Sequence, residues 1–138
     1  MVDVNASNIA VCAERFKDFR NVNCLVNDGS NLTAIKDASV TAVFCYDAMV
    51  HIEYDDVASY LREIARILQS GGKALLHHSN YDRQPGALYS DNDHWRNFMS
   101  VRLFSHMAQR AMLRVIEQRL LDCGEAKELD GLTLIEKP

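Results

Sequence analysis

Residues Ala42 to Asn80 read AVFCYDAMVHIEYDDVASYLREIARILQSGGKALLHHSN and decide the fold. Val40 to Tyr46 is nearly all apolar or β-branched, the pattern of a strand covered on both faces. Asp55 to Gln69 places Val57, Tyr60, Leu61, Ile64 and Leu68 on one stripe, which predicts an amphipathic helix. Gly71-Gly72 reads as its left-handed C-terminal cap, and Lys73 to His78 as the next strand. Strand, polar loop, helix, turn and strand make one βαβ unit with parallel strands. A polar, His-bearing segment follows each strand, the place where open parallel sheets bind ligands.

Working outward, Ile9, Cys12, Phe16 and Phe19 recur at helical spacing, so Ser7 to Phe19 is expected to be helical. Val22 to Val26 reads as a short strand stopped by Asn27-Asp28-Gly29. Tyr81 to Phe98 is polar with Gly and Pro and reads as a long functional or mobile loop. Its Tyr81, Tyr89 and Trp95 either stack on a substrate or anchor the loop. Ser100 suits the N-cap of a helix to Ala111, with Met99 and Phe104 placed as a hydrophobic staple. Leu113 to Leu121 and Leu132 to Glu136 read as strands, the second following a turn at Asp130-Gly131. The alternation of helices and strands predicts one α/β domain over residues 1–138.

The chain has 138 residues, 48% hydrophobic and 25% charged, with 15 basic and 19 acidic residues and a formal charge of −4. That balance argues against a nucleic-acid-binding domain, which usually carries a basic face. Arg96, Arg102, Arg110, Arg114 and Arg119 read as a solvated helix face. No run approaches the ~18 apolar residues of a membrane helix. The four cysteines, Cys12, Cys24, Cys45 and Cys123, lack the spacing of a zinc site. Buried free thiols in a cytoplasmic protein are the reading.

The chain also resembles class I S-adenosylmethionine-dependent methyltransferases along nearly all its length. Val2-Asp3-Val4-Asn5 resembles the end of that family's second strand, and Asn27-Asp28-Gly29 the loop after the third. Val43-Phe44-Cys45-Tyr46 with Asp47-Ala48-Met49-Val50-His51 resembles the fourth strand and its following loop. Leu61 to Leu68 with Gly71-Gly72 is similar to the family's LxEIxRVLxPGG signature, and His94-Trp95-Arg96 to a segment of some members. The resemblance implies a truncated Rossmann-like sheet, mostly parallel, with an antiparallel C-terminal strand and helices on both faces. It implies S-adenosylmethionine as cofactor. Asp3 would take the ribose hydroxyls and Asp28 the adenine amino group, with Gly29 and Tyr46 completing the cofactor-binding set. A small-molecule substrate follows from the same likeness.

Three departures accompany it. Thr41 stands where the family usually has Asp, and Gln69-Ser70 replaces Lys-Pro. No Gly-x-Gly occurs, so the family's first strand and glycine-rich cofactor loop have no counterpart before Asp3. In the family that strand is central, so Val40 to Tyr46 is expected to present an apolar edge, which soluble proteins avoid. Closure of the sheet on itself, a homodimer, or another chain supplying the strand would each cover it; a homo-oligomer is the expectation.

His51 follows one strand, His77 and His78 end the next, and His94 lies in the long loop. An unperturbed imidazole titrates near pH 6.5, which suits a general base, so His51 and His94 are the candidate catalytic residues. His77 and His78 point to opposite faces, so no shared metal is expected. Two functions compete. One is methyl transfer with a partner completing the cofactor cradle; the other is a non-catalytic ligand-binding or protein-interaction module on the same fold.

Overall fold

A computed structural model describes residues 1–138. The elements are β1 (Val2–Asp3), α1 (Ala6–Arg15), β2 (Leu25–Val26), β3 (Val40–Cys45), α2 (Tyr54–Ile67), β4 (Leu68–Ser79), α3 (Val101–Arg110), β5 (Arg114–Cys123) and β6 (Ala126–Glu136). Strands β1 and β2 form a parallel pair of their own, while the larger sheet has the order β3-β4-β6-β5. β3 and β4 run parallel, and β6 is antiparallel to both β4 and β5. The chain is an α/β fold with parallel and mixed sheets.

Periodicity places the core. Leu61 and Ile64 of α2, Phe104 and Ala108 of α3, and Ala74, Leu76 and Ile135 of the sheet are buried in one cluster. Both helices therefore lie on the face of the sheet that carries Ala74, Leu76 and His78. Ser100 caps α3, its Oγ accepting the Leu103 N–H at 3.1 Å, and Met99 and Phe104 are both fully buried beside it. Asn5 caps α1 in the same way, through Ser7 N–H at 2.9 Å. Residues 27–38 join the small sheet to α2: Asn27 Nδ2 donates to the Tyr60 hydroxyl at 2.7 Å, and the Arg66 guanidinium donates to the Ile35 and Leu32 carbonyls, each at 2.9 Å.

Several expectations are corrected. Strand β3 is covered on one face only: Val43 and Cys45 pack on the core, while Phe44 is 71% and Tyr46 55% exposed. The sheet has not closed on itself, and β3 is its edge. Helix α2 ends at Ile67, before the glycines, because Leu68 is already buried and paired with Val40 in extended backbone. Gly71 (φ 76) donates its N–H to the Lys137 carbonyl at 2.7 Å, inside β4. Asp130-Gly131 is no turn but the middle of β6; the reversal falls at Gly124, whose φ is 58. Arg96 is no solvated residue, being 5% exposed. The four cysteines are free and half-buried. Helix α1, predicted to run to Phe19, stops at Arg15 and buries no residue fully. No helix is long and apolar enough to cross a membrane.

Candidate active site

The carboxyl ends of β3 and β4 converge on a set of polar side chains. Asp47, just past β3, has a left-handed backbone (φ 54), a conformation uncommon outside glycine. Its N–H donates to His77 Nδ1 at 3.0 Å. An imidazole nitrogen that accepts carries no proton, so the neutral His77 ring holds its hydrogen on Nε2. That Nε2 is buried without a well-aligned hydrogen bond, and the nearest charged group is Asp130 Oδ2, 3.2 Å away. The Tyr46 ring stacks over the His77 imidazole, with centroids 4.4 Å apart.

Asp130 is gripped from the other side as well. Arg96 donates to it from Nε and Nη2, both at 2.8 Å, in the bidentate geometry that favours this pairing. Burial alone would push the Asp130 carboxyl up, but the nearby His77 ring and the Arg96 guanidinium outweigh it and hold the group below the ordinary carboxylate range. Burial likewise opposes the Arg96 charge, and the Asp130 contacts override it. Both side chains are nearly inaccessible, at 6% for Arg96 and 4% for Asp130.

His51 closes a short 3-10 turn, Met49–His51. Its Nδ1 lies 2.8 Å from the Trp95 carbonyl oxygen, which can only accept. The proton therefore sits on Nδ1 and the lone pair on Nε2. That Nε2 is 3.9 Å from Asp47 Oδ1, and the His51 side chain is 33% exposed. The arrangement is an accessible proton acceptor with a carboxylate beside it to stabilise the imidazolium. His94 and Trp95 both have left-handed backbones (φ 55 and 52), and Trp95 is 66% exposed. Tyr81, by contrast, is buried and its carbonyl accepts the Met99 N–H, so it anchors the loop.

The structure thus brings His51 and Tyr46 to the ends of β3 and β4 and leaves the His94 side chain exposed on the neighbouring loop. Asp3 and Asp28 lie elsewhere, at the carboxyl ends of the paired strands β1 and β2. Asp3 accepts the Asn5 N–H at 2.8 Å on one oxygen and Asn8 Nδ2 at 3.1 Å on the other. Asp28 Oδ1 accepts from Ser30 N–H, Ser30 Oγ and Asn31 N–H, and its second oxygen accepts from Asn31 Nδ2. The Ser30 N–H bond is the main reason its carboxyl sits below the ordinary range. Gly29 (φ 89) lets this loop turn. A cleft of about 300 Å³ opens beside it, walled by Val2, Val26, Asn27, Asp28 and Leu32. Sequence reading does not single out Asp47, Asp130 or Arg96. The signal for Asp130 is a carboxylate within the otherwise uncharged run Leu129 to Ile135.

Residues 1–76 match the family described as methyltransferase domain. The chain belongs to that family. No curated protein sequence matches the chain. Among solved structures, this methyltransferase-family domain is similar to geranyl diphosphate C-methyltransferase from Streptomyces coelicolor, crystallised with Mg2+, geranyl diphosphate and S-adenosyl-L-homocysteine. That likeness has 16% identity and a TM-score of 0.73, and covers 99% of this chain and 61% of the other. It is equally similar to the 4+2 cyclase SpnF, with 10% identity and a TM-score of 0.73, spanning 99% of this chain and 64% of that one. A Haloferax volcanii complex containing the Trm112 methyltransferase activator gives 18% identity and a TM-score of 0.68, with 99% and 70% covered. The domain therefore spans less than two thirds of two of these relatives, and at such identities the likeness establishes the fold.

Proposed function

We propose that this domain transfers a methyl group from S-adenosylmethionine to a small molecule, as a homo-oligomer whose second copy covers the edge of β3. One observation carries the reading. His51 has its Nδ1 proton tied to a carbonyl and its Nε2 lone pair accessible beside Asp47, at the ligand-binding end of parallel strands. In this reading His51 Nε2 removes a proton from a substrate hydroxyl, and Asp47 stabilises the imidazolium that forms. Exposed Trp95, Tyr46 and His94 border the same place.

The residues present fit the adenosyl part of the cofactor. A carboxylate offers about four lone-pair sites; Asp3 uses two, so it retains capacity for the ribose hydroxyls. Asp28 spends its oxygens on its own loop, so its part is to shape the wall of the cleft, with Gly29 allowing the turn. Bound S-adenosylmethionine would supply a methyl group already activated on a sulfonium. The protein's share is then positioning and proton removal. The relatives support this assignment: one is a C-methyltransferase crystallised with S-adenosyl-L-homocysteine, and another complex contains a methyltransferase activator.

A second reading, a non-catalytic binding or interaction module, is favoured by a specific feature. Phe44 and Tyr46 stand exposed beside the free edge of β3, an apolar surface of the kind that marks interaction sites. The likeness to a cyclase also shows that the fold hosts other chemistry. Incubation with methyl-labelled S-adenosylmethionine and a pool of small hydroxylated compounds separates the readings. Label transfer that falls about 100-fold or more in His51→Gln, in line with loss of a general base, supports the first. Absence of transfer from any pool, with no cofactor bound, supports the second.

A further inference from the structure

His77 is buried, yet the proton-transfer reading gives it no substrate to touch. Its two ring nitrogens face different elements. Nδ1 accepts the Asp47 N–H from the loop after β3, and Nε2 faces Asp130 on β6, 3.2 Å away. Arg96, from the long loop, holds Asp130 bidentately at 2.8 Å. The same Arg96 donates from Nη1 to the His94 carbonyl at 3.0 Å, while the next carbonyl, of Trp95, receives the His51 Nδ1 proton. Both ends of the candidate base are thus traced back to one buried ion pair.

We propose that Asp130 and His77 are positioning residues: Asp130 fixes the proton of His77 on Nε2, which leaves Nδ1 free to clamp the Asp47 N–H and so hold the Asp47 carboxylate beside His51.

The chemistry of each step follows from donors and acceptors. A backbone N–H can only donate, so the clamp exists only while Nδ1 is bare. A neutral imidazole has one proton to place, and a carboxylate that can only accept draws it to Nε2. Were the proton on Nδ1, it would meet the Asp47 N–H head on and leave Nε2 facing Asp130 with two lone pairs opposed. The clamp also accounts for the backbone of Asp47. A left-handed non-glycine residue is held at a cost, and persists only where its surroundings over-determine it. His77 itself is fixed by stacking against Tyr46 and by a side-chain exposure of only 4%.

The inference rests on the reading of His51 as base, but its test does not. Long-range proton–nitrogen NMR spectra of histidine-labelled protein, recorded without cofactor, report the tautomer of each ring. The expected result is His77 protonated on Nε2, with the Asp47 amide among the slowest-exchanging amides of its loop. In His77→Phe, which keeps the stacking on Tyr46 but removes the acceptor, the Asp47 amide exchanges at least tenfold faster and the His51 ring resonances shift. A His77 ring protonated on Nδ1 in the unsubstituted protein overturns the proposal without any variant. So does a folded His77→Phe in which Asp47 exchange and the His51 resonances stay unchanged. Either outcome leaves cofactor binding and methyl transfer to be judged by their own assay.

Discussion

The imidazole of His78 lies flat against the ring of Phe104, with centroids 3.7 Å apart and planes 8° from parallel. Its Nε2 is 2.8 Å from Thr133 Oγ1, and the ring is fully buried between β4, β6 and α3. Adjacent His77 points to the other face and serves the candidate site. Neighbouring histidines on one strand therefore differ in role: one completes the core and the other faces the candidate site.

Burial drives the His78 imidazole down to about 4 from the usual 6.5, the Ser79 carbonyl only partly opposing it. The unfolded chain then binds a proton that the folded chain does not, between about pH 6.5 and pH 4. Folding stability from this group is present in full above pH 6.5 and is lost as pH falls through that window, by about 3 kcal/mol in all. Below about pH 4 this group contributes no further loss. Denaturant unfolding at half-unit pH steps should show the decline, and His78→Gln should flatten it.

Gly131 sits directly under the same ring. A Cβ there would lie 2.5 Å from His78 Cε1 and 3.0 Å from Val101 Cγ1. Stacking on Phe104 and the Thr133 contact leave the imidazole no room to retreat. Gly131→Ala should therefore destabilise by about 1–3 kcal/mol, the usual range for overpacking a core. Thermal unfolding that matches the unsubstituted protein within error would show that the ring moves freely.

The edge of β3 gives a prediction about assembly. A strand open along one edge, with Phe44 71% exposed and no charged residue between Val40 and Tyr46, lacks the devices that keep strand edges apart. Light scattering at micromolar concentration should report a dimer or larger species, and Phe44→Glu should shift it toward monomer. A protein that is monomeric throughout would contradict the proposed cover for β3.

Much of this architecture was legible because it is written in local patterns. The stripe of Val57, Leu61 and Ile64 specifies α2, and Ser100 specifies the start of α3. Four family-like segments in the right order specify the methyltransferase fold. What escaped the sequence depends on long-range contact. Gly131 looks like turn chemistry beside Asp130, but glycine is there to admit the His78 ring. Arg96 looks like a surface charge until Asp130, 34 positions away, is folded onto it. Leu68 leaves the helix early because β3 pairs with it. Asp3 and Asp28 look alike as strand-end carboxylates, and only their partners show that one retains free lone pairs.

The central claim is that this domain holds an adenosyl cofactor through Asp3 and the neighbouring cleft. Calorimetric titration with S-adenosylhomocysteine tests it most directly. The account predicts saturable binding at millimolar concentration or tighter, weakened about tenfold in Asp3→Ala, the equivalent of one charge-assisted hydrogen bond of about 1.4 kcal/mol. No saturable heat up to millimolar ligand, or binding indifferent to Asp3→Ala, would contradict it.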